Sequence, residues 1–163
     1  MNWETATNIT LIASMASLGV FALLGLYQLI IRKSLKKVDK PLLYLIVPLI
    51  LMVITYFIFD KLLILNTRPD GSGEASFPST HVMVVATIFA CLIILLPRYI
   101  ASKPLRLTLT IIMLILIVLT SIGRVLANKH WPSDVAGALI FSAIFTLIYY
   151  ILTKTPKGKP QDA

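Results

Sequence analysis

Eight residues of this chain have types and spacings that could do chemistry together. Lys61 is followed by Arg68 and Pro69, seven and eight positions on. Pro78, Ser79, Thr80 and His81 are consecutive. Arg124 is followed by His130 six positions later, and by Asp134 four beyond that. Arginine grips phosphate oxygens through a planar fork and lysine acts as a point charge. Lys61, Arg68 and Arg124 therefore suit one shared phosphate dianion. A unit charge pair ~4 Å apart is worth ~1 kcal/mol in water and ~4 kcal/mol at an effective dielectric of ~20, so a partly dry boundary tightens the grip. Pro78 and Ser79 read as a helix start, where free amides and the Ser79 hydroxyl make an anion site. His81, one turn in, is placed to protonate a departing oxygen. His130 and Asp134 share a face if they open a helix. A carboxylate there fixes an imidazole's tautomer and steadies its cation, and imidazole is a competent nucleophile.

Each residue also has an ordinary role when taken alone. Lys61 and Arg68 can snorkel from a helix end. Arg124 and Lys129 can be loop charges, His81 a satisfied ring at a helix start, and Asp134 a helix cap. Asp60, Asp70 and Glu74 read as solvated loop charges, and Asp70 through Gly73 as a turn. The joint pattern is what argues for a site.

The elements that must hold these residues follow from composition. Of 163 residues, 58% are hydrophobic and 13% are charged, against ~25% charged in an ordinary soluble domain. Too few charges cover too much apolar surface for a soluble or disordered chain. Apolar runs at 9–31, 42–59 (with 62–65 as an extension), 79–96, 107–123 and 135–152 are long enough to span a bilayer as helices. They are apolar on all sides and show no sustained strand alternation, so helices fit better than a barrel. The predicted fold is therefore all-α, a polytopic transmembrane bundle of about five spans. Residues 1–152 form one domain and 153–163 a polar, basic tail expected to be disordered. Pro48 is expected to kink the second span. Ala13 with Ser17, and Ala138 with Ser142, are expected packing points. The first run lacks the basic leader of a secretory signal. Cys91, the one cysteine, reads as a packing residue.

Charge orients the bundle. Arg32, Lys33, Lys36, Lys37, Lys40, Arg98, Lys103, Arg106, Lys154, Lys157 and Lys159 fall on one face, and Lys61, Arg68, Arg124 and Lys129 on the other. The positive-inside rule puts the first set in the cytoplasm, with the N-terminus outside and the C-terminus inside. The basic first loop would touch anionic lipid; it lacks the interleaved aromatics of a nucleic-acid surface. Both histidines then sit outside, where four helix ends can converge.

With these residues in place, the chain resembles the type 2 phosphatidic acid phosphatase superfamily. The signature's first part is Lys, six residues, Arg-Pro, matched by Lys61, Arg68 and Pro69. Its second is Pro-Ser-Gly-His, matched by Pro78, Ser79, Thr80 and His81. Its third is Ser-Arg, five residues, His, three residues, Asp, matched by Arg124, His130 and Asp134. Thr80 stands where the family has Gly, and Gly123 where it has Ser, which removes one possible hydroxyl contact. Many bacterial members have six spans rather than five.

The resemblance implies a membrane phosphatase acting on a lipid phosphate or diphosphate. It implies that His130 attacks phosphorus to give a phosphohistidine and that Asp134 orients His130. Lys61, Arg68, Ser79, Arg124 and the Thr80 amide would hold the phosphoryl oxygens, and His81 would protonate the leaving oxygen. No metal or other cofactor is expected, because the cations supply the electrostatic stabilisation. A site at the outer boundary of a bacterial cell membrane suits undecaprenyl or another polyprenyl diphosphate as favoured substrate, ahead of phosphatidylglycerol phosphate and phosphatidic acid. The alternative is a membrane protein that binds or flips lipid phosphates without cleaving them. A vanadate haloperoxidase role fits poorly, because those relatives are soluble.

Overall fold

The computed structural model of the protein describes residues 2–154. Five helices long and apolar enough to cross a membrane carry the fold: Trp3–Arg32, Lys40–Leu62, Thr80–Tyr99, Lys103–Leu126 and Pro132–Thr153. We label them α1 (Trp3–Arg32), α2 with α3 (Lys40–Tyr44 and Ile46–Phe57), α4 (Thr80–Tyr99), α5 (Lys103–Leu126) and α6 (Pro132–Thr153). Helix thus continues through Thr153, one residue into the expected tail; 155–163 lie outside the described residues.

The second span breaks at Leu45 between α2 and α3. Pro48 causes the break, since its ring clashes with the carbonyl four residues earlier, at Tyr44, and it offers no amide. The same span ends in a π turn, Ile58–Leu62, which carries Lys61. α1 starts six residues before the apolar run because Asn2 caps it, accepting from the amides of Glu4 and Thr5 at 3.1 and 3.4 Å. That early start winds Glu4, Thr7 and Asn8 into the helix.

α4 is the central helix, packed against α1, α5 and α6. Val85, Phe89, Leu92 and Leu95 on it are fully buried. The outer helices keep large apolar side chains on their outward faces, Leu23, Ile115 and Leu147 among them. Against water such faces cost ~25 cal/mol per Å²; against lipid tails they cost nothing. The chain is an integral membrane protein on this ground.

Helix contacts run through small and hydroxyl residues, which let backbones approach where no hydrophobic force drives association. Ala138 and Ser142 are both buried at the α4–α6 contact, with Ser142 Oγ donating to the Met83 and Ala138 carbonyls at 3.1 and 2.8 Å. On α1 the buried stripe is Thr7, Thr10 and Ser14; the expected Ala13 packs half-buried against the core beside it, with Ser17 donating to its carbonyl at 2.8 Å. The Thr10 and Thr120 hydroxyls meet at 2.6 Å. Gly123 of α5 packs directly on α1, since a β-carbon there would come within 2.6 Å of Thr7 Cγ2. At the far end Asp39 ties the first loop down, accepting from Gln28 at 2.8 Å, Tyr99 at 2.9 Å and Arg32 at 3.2 Å.

Candidate active site

All five spans bring an end to one side of the bundle, one more than the sequence implies, because α1 joins the other four. Residues 63–79 connect the second span to α4 and fold back on themselves. Arg68 N donates to Glu74 O at 3.0 Å and Ser76 N to Asn66 O at 2.9 Å. Gly71 and Gly73 make the tip, with φ of 78° and 74°, a region open to glycine at no steric cost. This hairpin is bolted to the start of α6. Asn66 Nδ2 donates to Asp134 Oδ1 at 3.1 Å, Trp131 Nε1 to Thr67 O at 2.9 Å, and Ser79 N to Asp134 O at 3.1 Å. Phe77 lies on Gly137 of α6, where any β-carbon would collide with its ring.

His130 sits in the turn between α5 and α6 and is 4% exposed. Its Nδ1 lies 2.8 Å from the Ser76 carbonyl oxygen. A carbonyl only accepts, so Nδ1 carries the proton and Nε2 keeps its lone pair. Nε2 faces Arg124 Nη2 at 3.5 Å. The ring is thus held in the tautomer that a nucleophilic Nε2 requires. Burial, then the Arg124 cation, push its pKa from 6.5 down to about 4, against the opposing pull of the Ser76 carbonyl and Asp134. At neutral pH the ring is uncharged.

The bond that orients His130 comes from Ser76, whereas the sequence pattern suggests Asp134. Asp134 Oδ2 is 3.8 Å from Nδ1, beyond hydrogen-bond reach but close enough to favour the imidazolium. Its oxygens are occupied elsewhere: Oδ2 accepts from the Trp131 amide at 2.9 Å and Oδ1 from Asn66. Its place in the first turn of α6 explains this, because a carboxylate there naturally satisfies an orphan amide.

In front of His130 lies a cavity of about 580 Å³ lined by Lys61, Arg68, Thr80, His81 and His130, with Tyr56, Phe59 and Phe77 as its apolar walls. Ser79, Arg124 and Asp134 are buried behind this lining, at 0%, 4% and 0% exposure. The loop acids are not simply solvated. Glu74 holds Arg68 at 2.6 Å, Asp60 holds Lys61 at 2.7 Å, and Asp70 holds Lys129 at 3.1 Å. Hydrogen bonds from Ser72, then from Lys129, keep Asp70 far below the usual carboxylate range.

Three motif residues keep buried polar atoms with no protein partner: Arg68 Nε, Arg124 Nε and Ser79 Oγ. An unpartnered buried donor costs ~1–3 kcal/mol, so the arrangement is suited to an arriving anion. The first helical bond of α4 runs from Met83 N to Ser79 O. The Thr80, His81 and Val82 amides therefore have no acceptor within the helix. The Ser79 amide is committed to Asp134 and is not part of this set.

The sequence pattern missed four residues. Ser76 and Asn66 act through the hairpin, and a backbone carbonyl leaves no trace in residue type. Thr7 and Asn8 come from α1. Arg124 Nη1 donates to Thr7 Oγ1 at 3.5 Å, and His81 Nε2 meets Asn8 Oδ1 at 3.0 Å. Their signal was polarity at the end of an apolar span.

Comparison with known proteins agrees with this architecture. The family model described as the PAP2 superfamily matches residues 41–157. A lipid A 1-phosphatase of Porphyromonas gingivalis is 34% identical over 85 residues, 52% of this chain and 18% of that protein. A lipid A 1-phosphatase of Rhizobium johnstonii is 32% identical over 81 residues, 50% of this chain and 29% of that protein. The matches span less than a third of either relative. The crystal structure of a transmembrane PAP2-type phosphatidylglycerolphosphate phosphatase from Bacillus subtilis superposes with a TM-score of 0.72 at 21% identity, over 96% of this chain and 77% of that one. With the family model matched over most of its length, and the same fold in a solved relative, the chain belongs to the PAP2 superfamily.

Proposed function

We propose that the protein hydrolyses a lipid phosphate or diphosphate by way of a phosphohistidine, at the extracytoplasmic face of a bacterial cell membrane. The observation that carries this reading is the set of unpartnered donors on three motif residues, Arg68 Nε, Arg124 Nε and Ser79 Oγ, together with a neutral His130 whose Nε2 is turned toward Arg124. Phosphate oxygens satisfy the donors, and drawing Arg124 onto them releases the Nε2 lone pair. Nε2 attacks phosphorus, the P–O bond to the lipid breaks, and His81 gives a proton to the leaving oxygen. Water then attacks the phosphohistidine and passes a proton to His81. Inorganic phosphate leaves and His130 is regenerated. Thr80 contributes its amide, which its side chain does not remove.

A lipid fits the surroundings of the cavity. Tyr56 and Thr80 line both the polar cavity and an apolar groove floored by Met52, Met83 and Ile88, a path for a hydrocarbon chain. A polyprenyl diphosphate is the favoured substrate, because exposed Lys61 at the rim can meet a second phosphoryl group. The lipid A 1-phosphatase and phosphatidylglycerolphosphate phosphatase relatives make those monoesters the rivals to test. The excess of basic residues at the opposite end of the bundle supports the orientation and an anionic-lipid contact there.

The test is phosphate release by purified protein in detergent. The panel is undecaprenyl diphosphate, phosphatidylglycerol phosphate, phosphatidic acid and lipid A, with His130→Ala as control. Turnover by wild type alone, with a trapped phosphohistidine, supports the reading. Lipid binding with neither product favours a binding or flipping protein, and full activity of His130→Ala removes the nucleophile.

A further inference from the structure

We propose that α1 is a working wall of the active site and that Asn8 is the positioning residue for His81. The proposal rests on the phosphatase reading and extends it to a helix that lies outside every motif and outside the matched residues 41–157.

α1 reaches the site through two adjacent side chains. Thr7 donates its hydroxyl proton to the Glu4 carbonyl at 3.0 Å. Only lone pairs are left on its oxygen for Arg124 Nη1, 3.5 Å away. Asn8 presents Oδ1 to His81 Nε2 at 3.0 Å. An amide oxygen only accepts, so Nε2 keeps its proton whether the His81 ring is neutral or cationic; Nδ1 is the nitrogen left to give a proton from the imidazolium and to take one back as the neutral ring. A proton donor is useful only when its ring is aimed, and among the described residues Asn8 supplies the side-chain hydrogen bond to that ring.

Two features of α1 bear on this role. The helix extends six residues beyond its apolar run, and Asn8 is exposed, so the amide serves no core. The approach is fixed by Gly123, whose missing side chain lets Thr7 and Trp3 close on α5. The hydroxyl that the family places at position 123 is absent, and a hydroxyl from α1 stands beside the neighbouring arginine instead.

The charged and titratable groups around His81 are few. Arg68 of the hairpin, Arg124 of α5 and His130 of the following turn act on it. Lys61 shares the cavity, paired with Asp60. Glu4, one turn before Asn8, is directed at Lys129, 3.8 Å away. Asn8 is thus an uncharged contact that can be altered without disturbing an ion pair.

The experiment uses full-length protein labelled with ¹⁵N-histidine, in which only His81 and His130 report, alongside kcat, KM and pH profiles on the best lipid phosphate of the panel. In Asn8→Ala the His81 signals move from a single Nε2–H tautomer toward a mixture of the two. kcat falls ~10–100-fold, part of the ~10²–10⁴ that a positioned proton donor contributes, while KM stays within about threefold. Asn8→Asp keeps an acceptor, restores turnover relative to Asn8→Ala, and carries the basic limb of the kcat profile to higher pH. A wild-type His81 pattern in Asn8→Ala overturns the proposal, and so does an unchanged kcat. Should wild type release no phosphate from any lipid, the functional reading fails, and the tautomer of His81 in Asn8→Ala still decides whether Asn8 sets it.

Discussion

Between about pH 4 and 6.5 the His130 ring is neutral in the folded protein and protonated in an unfolded chain. Burial is the main cause and Arg124 the second. The separation is worth ~3 kcal/mol at ~1.36 kcal/mol per unit. Its sign is fixed by the direction of the shift. The unfolded chain takes up the proton first, so this contribution is complete above about pH 6.5 and is lost as pH falls toward 4. On the proposed mechanism the same shift protects activity: near pH 5 roughly nine-tenths of the rings stay neutral, against ~3% for an unperturbed imidazole, a ~30-fold difference. The assay is a ¹⁵N titration of the free protein, which avoids the substrate's own ionisation near pH ~6. Two variants separate the causes. Arg124→Gln removes a cation and moves the midpoint up; Asp134→Asn removes an anion and moves it down. A wild-type midpoint near 6.5, or movement of both variants in one direction, would refute the electrostatic account.

Two further outcomes follow from the packing and the ion pairs. Gly123→Ser restores the family's residue but drives a β-carbon to 2.6 Å from Thr7 Cγ2; it should destabilise by ~1–3 kcal/mol, and Thr7→Ala in the same chain should recover most of the loss. Thermal melts in detergent read both, and an undiminished Tm in Gly123→Ser would show that α1 yields freely. Glu74→Gln releases Arg68 from its 2.6 Å ion pair; because exposed pairs are worth ~0.2–1 kcal/mol, KM should fall ~1.5–5-fold with kcat unchanged. A raised KM would mean that Glu74 orients Arg68 toward the phosphate.

Sequence alone determined the class of molecule and the identity of the motif residues. Hydropathy and length define the five spans, because a bilayer forces backbone polarity inward and leaves runs of apolar side chains as its signature. Pro48 locates the break in the second span, since ring geometry acts within four residues. Spacing finds the histidines, the arginines and Ser79 and places them on one side, because alternating spans fix which helix ends are neighbours. Tertiary structure decided what those residues touch. Ser76 holds His130 by its carbonyl, a group every residue has. Asp134 is drawn off by Asn66 and the Trp131 amide, partners that depend on how the hairpin folds. Asn8 and Thr7 enter from a helix over a hundred positions away from Arg124 in sequence, through a gap that exists because Gly123 has no side chain. Local chemistry is written in residue type and interval; the partner that selects a tautomer or leaves a donor free is set by packing between distant segments.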